Sequence, residues 1–152
     1  MQTVYSPLHL GHAGHHELTA AGIVPAFEKP ERAEIVKARV AEVGLGPILP
    51  PTVHSLATAA RVHDPAYLSF LGRAWDMWAA AGLGPVALPF CWPVPGLRRD
   101  VPPERIDGLL GHYSLDAGAP FVPGTWAAVK ASHDCALTAA ALVAGGARAA
   151  VA

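Results

Sequence analysis

Charge is what this sequence has least of. Only 15% of its 152 residues are Asp, Glu, Lys or Arg, and the formal net charge is −1. A chain so nearly neutral has no electrostatic pull on a polyphosphate, and no five-residue basic run supplies one locally, which excludes DNA and RNA as expected partners. Cysteine is scarce too. Cys91 and Cys135 are the only two, far apart and in no metal-ligand spacing. They fit reduced thiols in a cytoplasm, with a single disulfide as the open alternative. No basic segment followed by an apolar one opens the chain, so no signal peptide is expected. The longest apolar stretch, near Ala136 to Ala144, falls well short of the ~20 residues a membrane-spanning helix needs.

What is present is apolar mass. Hydrophobic residues make up 52% of the chain, and a globule of this length buries roughly 68–70% of its unfolded surface, so a real core is within reach. Thr3-Val4-Tyr5 reads as a first strand. Residues 6–29 mix His, Gly and Pro without a period and read as a loop. Pro30 sits in the first turn of a helix, Val36, Val40 and Val43 recur at helical spacing, and Gly44 stops it. Ile48-Leu49 and Thr52-Val53 flank Pro50-Pro51, which allows one edge strand at most. Ser55 opens a short Ala-rich helix ending near Val62. Asp64-Pro65 is an N-cap followed by proline at the first helical position, and Tyr67, Leu71, Trp75 and Trp78 form one apolar stripe that Gly82 ends.

Residues 82–124 hold eight of the fifteen prolines and seven glycines. A loop this long inside a compact domain is usually functional or disordered. Cys91, Trp92, Tyr113 and Phe121 argue for order, and Pro103 to Leu110 has room for one helical turn or two. Thr125 reads as the N-cap of a long helix that Gly145-Gly146 closes. Ala149 to Ala152 reads as the start of a strand.

An ordered set of short motifs carries a resemblance. Val62-His63-Asp64-Pro65-Ala66-Tyr67-Leu68-Ser69-Phe70-Leu71, continuing to Trp75-Asp76-Met77-Trp78, is its most specific part. Val4-Tyr5-Ser6, Glu17-Leu18, Val24-Pro25, Phe27-Glu28, Pro30-Glu31-Arg32-Ala33-Glu34, Trp92-Pro93-Val94, Ile106-Asp107-Gly108 and Pro123-Gly124-Thr125-Trp126 extend it in order. The chain resembles the N-terminal half of the zinc-dependent histone deacetylase and acetylpolyamine amidohydrolase superfamily, closest to the polyamine branch. That resemblance implies an α/β class chain: the N-terminal part of an arginase/deacetylase-like three-layer fold with a mostly parallel sheet, helix-rich and incomplete, with all of 1–152 in one domain. It implies a zinc (Zn) cofactor and hydrolysis of an acetylated polyamine or small acetylated amine. The family's zinc ligands and histidine pair lie in runs this chain lacks, since no Asp-x-His occurs here, so no catalytic or metal residue is assigned and the chain alone is expected to be inactive.

The resemblance marks two residues. Asp107 matches an acid that faces the cationic substrate, and Arg32 matches an arginine near an acetate-exit channel; a surface ion pair at the helix start is the equal alternative for Arg32. The 82–124 loop resembles an insertion that packs at a homodimer interface. Asp116 is a second candidate acid, out of register by about two residues with Gly118. His9, His12, His15 and His16 form a possible metal cluster, although Gly11 and Gly14 weaken a helix there and a solvated loop is the simpler reading. His63 and Asp64 read as a capping pair, and His112, His133 and Asp134 as ordinary residues. The rival functions are a non-catalytic remnant acting through association and a His-rich metal-binding module.

Overall fold

The structure is a computed structural model that describes residues 1–14, 16–96 and 98–152. The chain forms two compact units, one of residues 1–13, 28–62 and 124–152 and the other of residues 14–27 and 63–123.

The first unit is built on a parallel sheet. Its central strand β1 (Gln2–Val4) sets Thr3 opposite Ile48 and Val4 opposite Leu49 of β4 (Ile48–Leu49). On its other side Gln2 faces Ala150 and Thr3 faces Val151 of β5 (Ala150–Val151). Pro50 and Pro51 end β4, as proline must where no ladder donor remains. Thr52 does not extend the strand; its N–H turns instead to Thr138 Oγ1 at 3.0 Å. Helix α1 (Glu31–Glu42) runs from β1 towards β4 in sequence and buries only Val40, while Val36 and Val43 stay exposed. Residues 55–62 form turns and a short 3-10 segment, Ala59–Arg61, rather than the expected helix. Eight residues are too few for a helix to form without a buried face, whatever their alanine content.

Helix α4 (Thr125–Ala144) covers the sheet. Ala128, Ala131, Cys135 and Ala139 form its buried face, and Cys135 and Ala139 pack on Val4 together with Leu142 and Ala150. Small side chains bring the helix close. Its N-cap is Gly124, not Thr125, which is the first helical residue and is buried. The Thr125 hydroxyl meets His12 Nδ1 at 2.9 Å instead of capping the helix. A side chain added at Gly124 would collide with the Gly11 carbonyl.

One buried charge belongs to this unit. Asp134 Oδ1 accepts from Lys130 Nζ at 2.6 Å and from the His54 N–H at 2.9 Å, with His133 Nδ1 at 3.3 Å. Lys130 also donates to the His54 carbonyl at 2.9 Å, so α4 holds the 52–54 segment by a charged clasp. Burial alone pushes the Asp134 carboxyl up, but the bonds from Lys130, His54 and His133 outweigh it and hold it at about 2, below its ordinary 3.8.

The second unit is organised by α2 (Pro65–Ala80) and α3 (Ile106–Tyr113). Asp64 caps α2 as its sequence predicts, accepting from the Ala66 N–H at 2.7 Å. The buried line of α2 is Phe70, Ala74 and Trp78, flanked by Tyr67, Leu71, Trp75 and Met77. The stripe is thus centred one position away from the one the large side chains suggest, because Ala74 lets α2 approach its neighbours. Trp78 Nε1 donates to the Gly84 carbonyl at 3.0 Å, so burying the indole costs no hydrogen bond. Residues 82–124 supply half of this core. Ala87, Ile106, Leu110 and Phe121 pack with Phe70 and Trp78, and Ala87 and Phe121 exchange two backbone hydrogen bonds of 2.9 Å. The expected helical turns are α3.

Residues 6–29 are not one loop. Pro7–Gly11 form a 3-10 turn, and β2 (His16–Thr19) pairs antiparallel with β3 (Gly22–Pro25), Leu18 opposite Ile23. Gly22 takes φ +104°, and the Thr19 hydroxyl accepts from the Ala21 N–H at 3.2 Å and donates to the Gly22 carbonyl at 3.1 Å, which closes the turn. The hairpin escapes a periodicity reading because Leu18 and Ile23 both stay exposed.

Two outcomes follow. In the second unit, Gly111 lies on the buried side of α3, and a side chain there would run into the Cys91 carbonyl. Gly111→Ala should cost about 1–3 kcal/mol by overpacking, seen as a lower denaturation midpoint of α2 and α3; an unchanged midpoint would show that the Cys91 segment moves aside freely. In the first unit, a carboxylate held near 2 contributes stability that is complete above its unfolded value near 4 and disappears as pH falls towards 2, on the order of 2 kcal/mol. Asp134→Asn should therefore weaken protection of α4 against hydrogen exchange at pH 7 and remove most of its change between pH 4 and pH 2. Equal pH profiles for both chains would rule this out.

Candidate functional site

Asp107 stands in the first turn of α3. Ile106 and Leu110, four residues apart, are buried against α2, which turns Asp107 towards the surface. Its carboxylate accepts Arg105 Nε at 3.2 Å on Oδ1 and Arg105 Nη2 at 3.3 Å on Oδ2. The Gly108 N–H adds a third bond, 3.0 Å to Oδ1. Arg105 immediately precedes the helix in extended backbone, φ −84° and ψ 145°, and this bend folds its long side chain back over the acid. The hydrogen bond from Arg105 holds the Asp107 carboxyl below the usual range against an opposing effect of partial burial, and the same pair raises the guanidinium.

Around the pair lies an open cleft of about 420 Å³, lined by Cys91, Pro103, Glu104, Arg105, Asp107 and Gly108. Cys91 is an exposed free thiol whose Sγ lies 3.9 Å from the Asp107 carbonyl. Behind α3, Phe70 stacks on Tyr113 with ring centroids 4.7 Å apart and meets Phe121 edge-on at 5.8 Å. This aromatic block is the rigid support for the helix that carries Asp107. The cleft is open, and among the described residues nothing in it is arranged to break a bond.

The other candidates are placed separately. Arg32 lies at the start of α1, its exposed guanidinium paired with Glu28. Asp116 accepts from the Gly118 N–H at 2.8 Å, an exposed turn-forming acid. His63 is exposed, with its ring tilted against Tyr67 at 5.9 Å. His112 meets Tyr113 edge-on.

The histidines disperse among local partners. His9 Nδ1 is 2.8 Å from the Ser6 carbonyl and its Nε2 is 3.4 Å from Glu34. Partial burial lowers the basicity of His12, which faces Thr125. His16 is exposed in β2, and His15 lies outside the described residues. Among the described residues no three His, Cys, Asp or Glu side chains are grouped so as to hold a metal ion.

Two clusters were missed by reading the sequence. Tyr5, Glu34 and Lys37 interlock: the Tyr5 hydroxyl donates to Glu34, Lys37 Nζ donates to Glu34 at 2.9 Å, and that ammonium lies 4.1 Å from the Tyr5 ring centroid. The Asp134 clasp is the other. Only the helical spacing of Lys130 and Asp134 signalled it, and that spacing is common on solvated faces.

No family model matches the chain. It is 45% identical over 148 residues to acetylpolyamine amidohydrolase 2 of Pseudomonas aeruginosa, a match covering 97% of this chain and 43% of that protein. It is 42% identical to acetylpolyamine amidohydrolase 1 of the same organism, over 100% of this chain and 44% of that protein. With the acetylpolyamine amidohydrolase of Mycoplana ramosa the identity is 40%, over 99% and 44%. Among solved structures it resembles an acetylpolyamine aminohydrolase from Burkholderia pseudomallei with a TM-score of 0.81 at 30% identity, over 97% of this chain and 42% of that one. The chain therefore spans less than half the length of the relatives it matches. Along nearly its whole length it is a homologue of the acetylpolyamine amidohydrolases, and it has a part of their α/β fold.

Proposed function

We propose that this chain is the substrate-facing part of an amidohydrolase that removes the acetyl group from acetylated polyamines or similar small acetylated amines. The observation that supports this is the 40–45% identity, sustained over 97–100% of the chain, to three proteins named for that activity. The reading includes a zinc ion, which would polarise an amide carbonyl and activate water. The described residues supply no set of three donors for it, so no step of the reaction is assigned to this chain.

What the chain supplies is recognition. A polyamine keeps at least one alkylammonium after acetylation, and a carboxylate at a pocket rim attracts it. Asp107 is that carboxylate: its side chain is 27% exposed, its helix is fixed by the Phe70–Tyr113 stack, and it opens onto a cleft wide enough for an aliphatic amine. The family resemblance implies a channel role for Arg32, whose exposed guanidinium stands in the surface ion pair with Glu28 that is its equal alternative. The reading also makes the 82–124 segment a homodimer contact, and the exposed side chains of Phe90, Trp92, Val94 and Val101 are the apolar surface that would be covered. Two free thiols are in keeping with a cytoplasmic protein. Among the described residues no helix is long and apolar enough to cross a membrane.

Acetate release from N-acetylputrescine tests the reading. A polypeptide that carries this chain at the full length of its relatives should show zinc-dependent, chelator-sensitive turnover, and the 152-residue chain with equimolar zinc should show none. Turnover by the short chain, or a full-length protein inert on every small acetylated amine, would sink it. In the active protein, Asp107→Asn should raise KM for the cationic substrate several-fold and leave a neutral acetamide nearly unchanged. That split marks lost recognition rather than lost chemistry; equal losses on both substrates would make Asp107 structural.

A further inference from the structure

We infer that Arg105 sets how tightly Asp107 takes a cationic ligand, because its guanidinium bonds both carboxylate oxygens and competes with an incoming alkylammonium for them. This rests on the reading of Asp107 as the recognition acid.

The geometry makes Arg105 a tethered competitor. Both of its contacts to Asp107, 3.2 Å and 3.3 Å, use the planar guanidinium fork that matches a carboxylate. The two partners are held very differently. The Arg105 side chain is 81% exposed and Asp107 only 27%. Asp107 is further fixed by the Gly108 N–H. The arginine can swing into water without disturbing the core, while the acid stays in place. An exposed ion pair contributes little, so the arginine lowers affinity without blocking the site.

Arg105 also changes the kind of selectivity. While it is seated, the pair is closer to neutral, and long-range attraction of cations to Asp107 is weakened. Discrimination then depends on direct contact. The ligand this favours is a compact, strongly hydrated primary ammonium on a flexible aliphatic chain, which can donate to Asp107 from the cleft side. A quaternary ammonium, with no N–H to give, cannot replace the guanidinium bonds.

The Gly108 amide is a built-in reporter, since its N–H donates to Asp107 Oδ1. Putrescine is titrated into the 15N-labelled 152-residue chain at low ionic strength and the Gly108 cross-peak is followed. Arg105→Gln should lower the putrescine midpoint by about two- to fivefold, the scale of an exposed charge pair. Arg105→Lys should fall between wild type and Arg105→Gln, and Asp107→Asn on the Arg105→Gln background should abolish the response. A parallel acid titration should show the Asp107 midpoint rising in Arg105→Gln, because the guanidinium is what lowers it. The same putrescine midpoint with and without Arg105 would overturn the inference, as would a response that survives Asp107→Asn, or none in any chain. Tetramethylammonium binding as well as putrescine would overturn the selectivity argument. No turnover is measured, so these outcomes are separate from failure of the deacetylase reading: diamine binding controlled by Arg105 would stand even if the full-length protein released no acetate.

Discussion

The candidate site depends on the burial of one face of an eight-residue helix. Ile106 and Leu110 of α3 are 6% and 0% exposed, and nothing else could hold so short a segment helical in water. Their contact with Phe70, Ala74 and Trp78 fixes the rotation of α3, and Gly111 fixes its distance from Cys91. Once both are set, Asp107 has one available direction. Arg105, in extended backbone just before the helix, lays its guanidinium across that acid.

Much of this architecture is readable from residues alone where a local signal and the core demand agree. Asp64-Pro65 starts α2 because capping and proline both favour that point, and the aromatic stripe that follows has a core to enter. The 82–124 segment reads badly for the opposite reason. Its prolines and glycines describe the turns, but its contribution to the core comes from Ala87, Ile106, Leu110 and Phe121, which are too scattered to make a period. The hairpin of β2 and β3 leaves no alternation because neither face is buried. Thr125 looks like a cap, yet the helix starts a residue earlier, where glycine alone can pass the Gly11 backbone.

The site was legible only in part. Asp107 carries no motif of its own and comes from a family resemblance. Its partner was invisible, since residues two apart on a helix do not face one another. Arg105 reaches Asp107 only because it stands just outside the helix in extended backbone. The same limit applied to Asp134. An i, i+4 pair with Lys130 announces nothing until the His54 backbone, 80 residues away in sequence, closes over it.

The order of strands in the first unit has a consequence for the birth of the protein. β1 precedes the other strands of its sheet in sequence, yet it sits in the middle, between β4 and β5. Its first neighbour appears after one helix; its second, at Ala150 and Val151, is separated from it by nearly the whole chain. On the ribosome, β1 and the Val4 side chain must wait with one edge unpaired until α4 and β5 have emerged. Long-range parallel pairing of this kind is slow to form and open to wrong partners meanwhile. The second unit, whose α2–α3 core closes within residues 63–123, can be assembled before the first is complete.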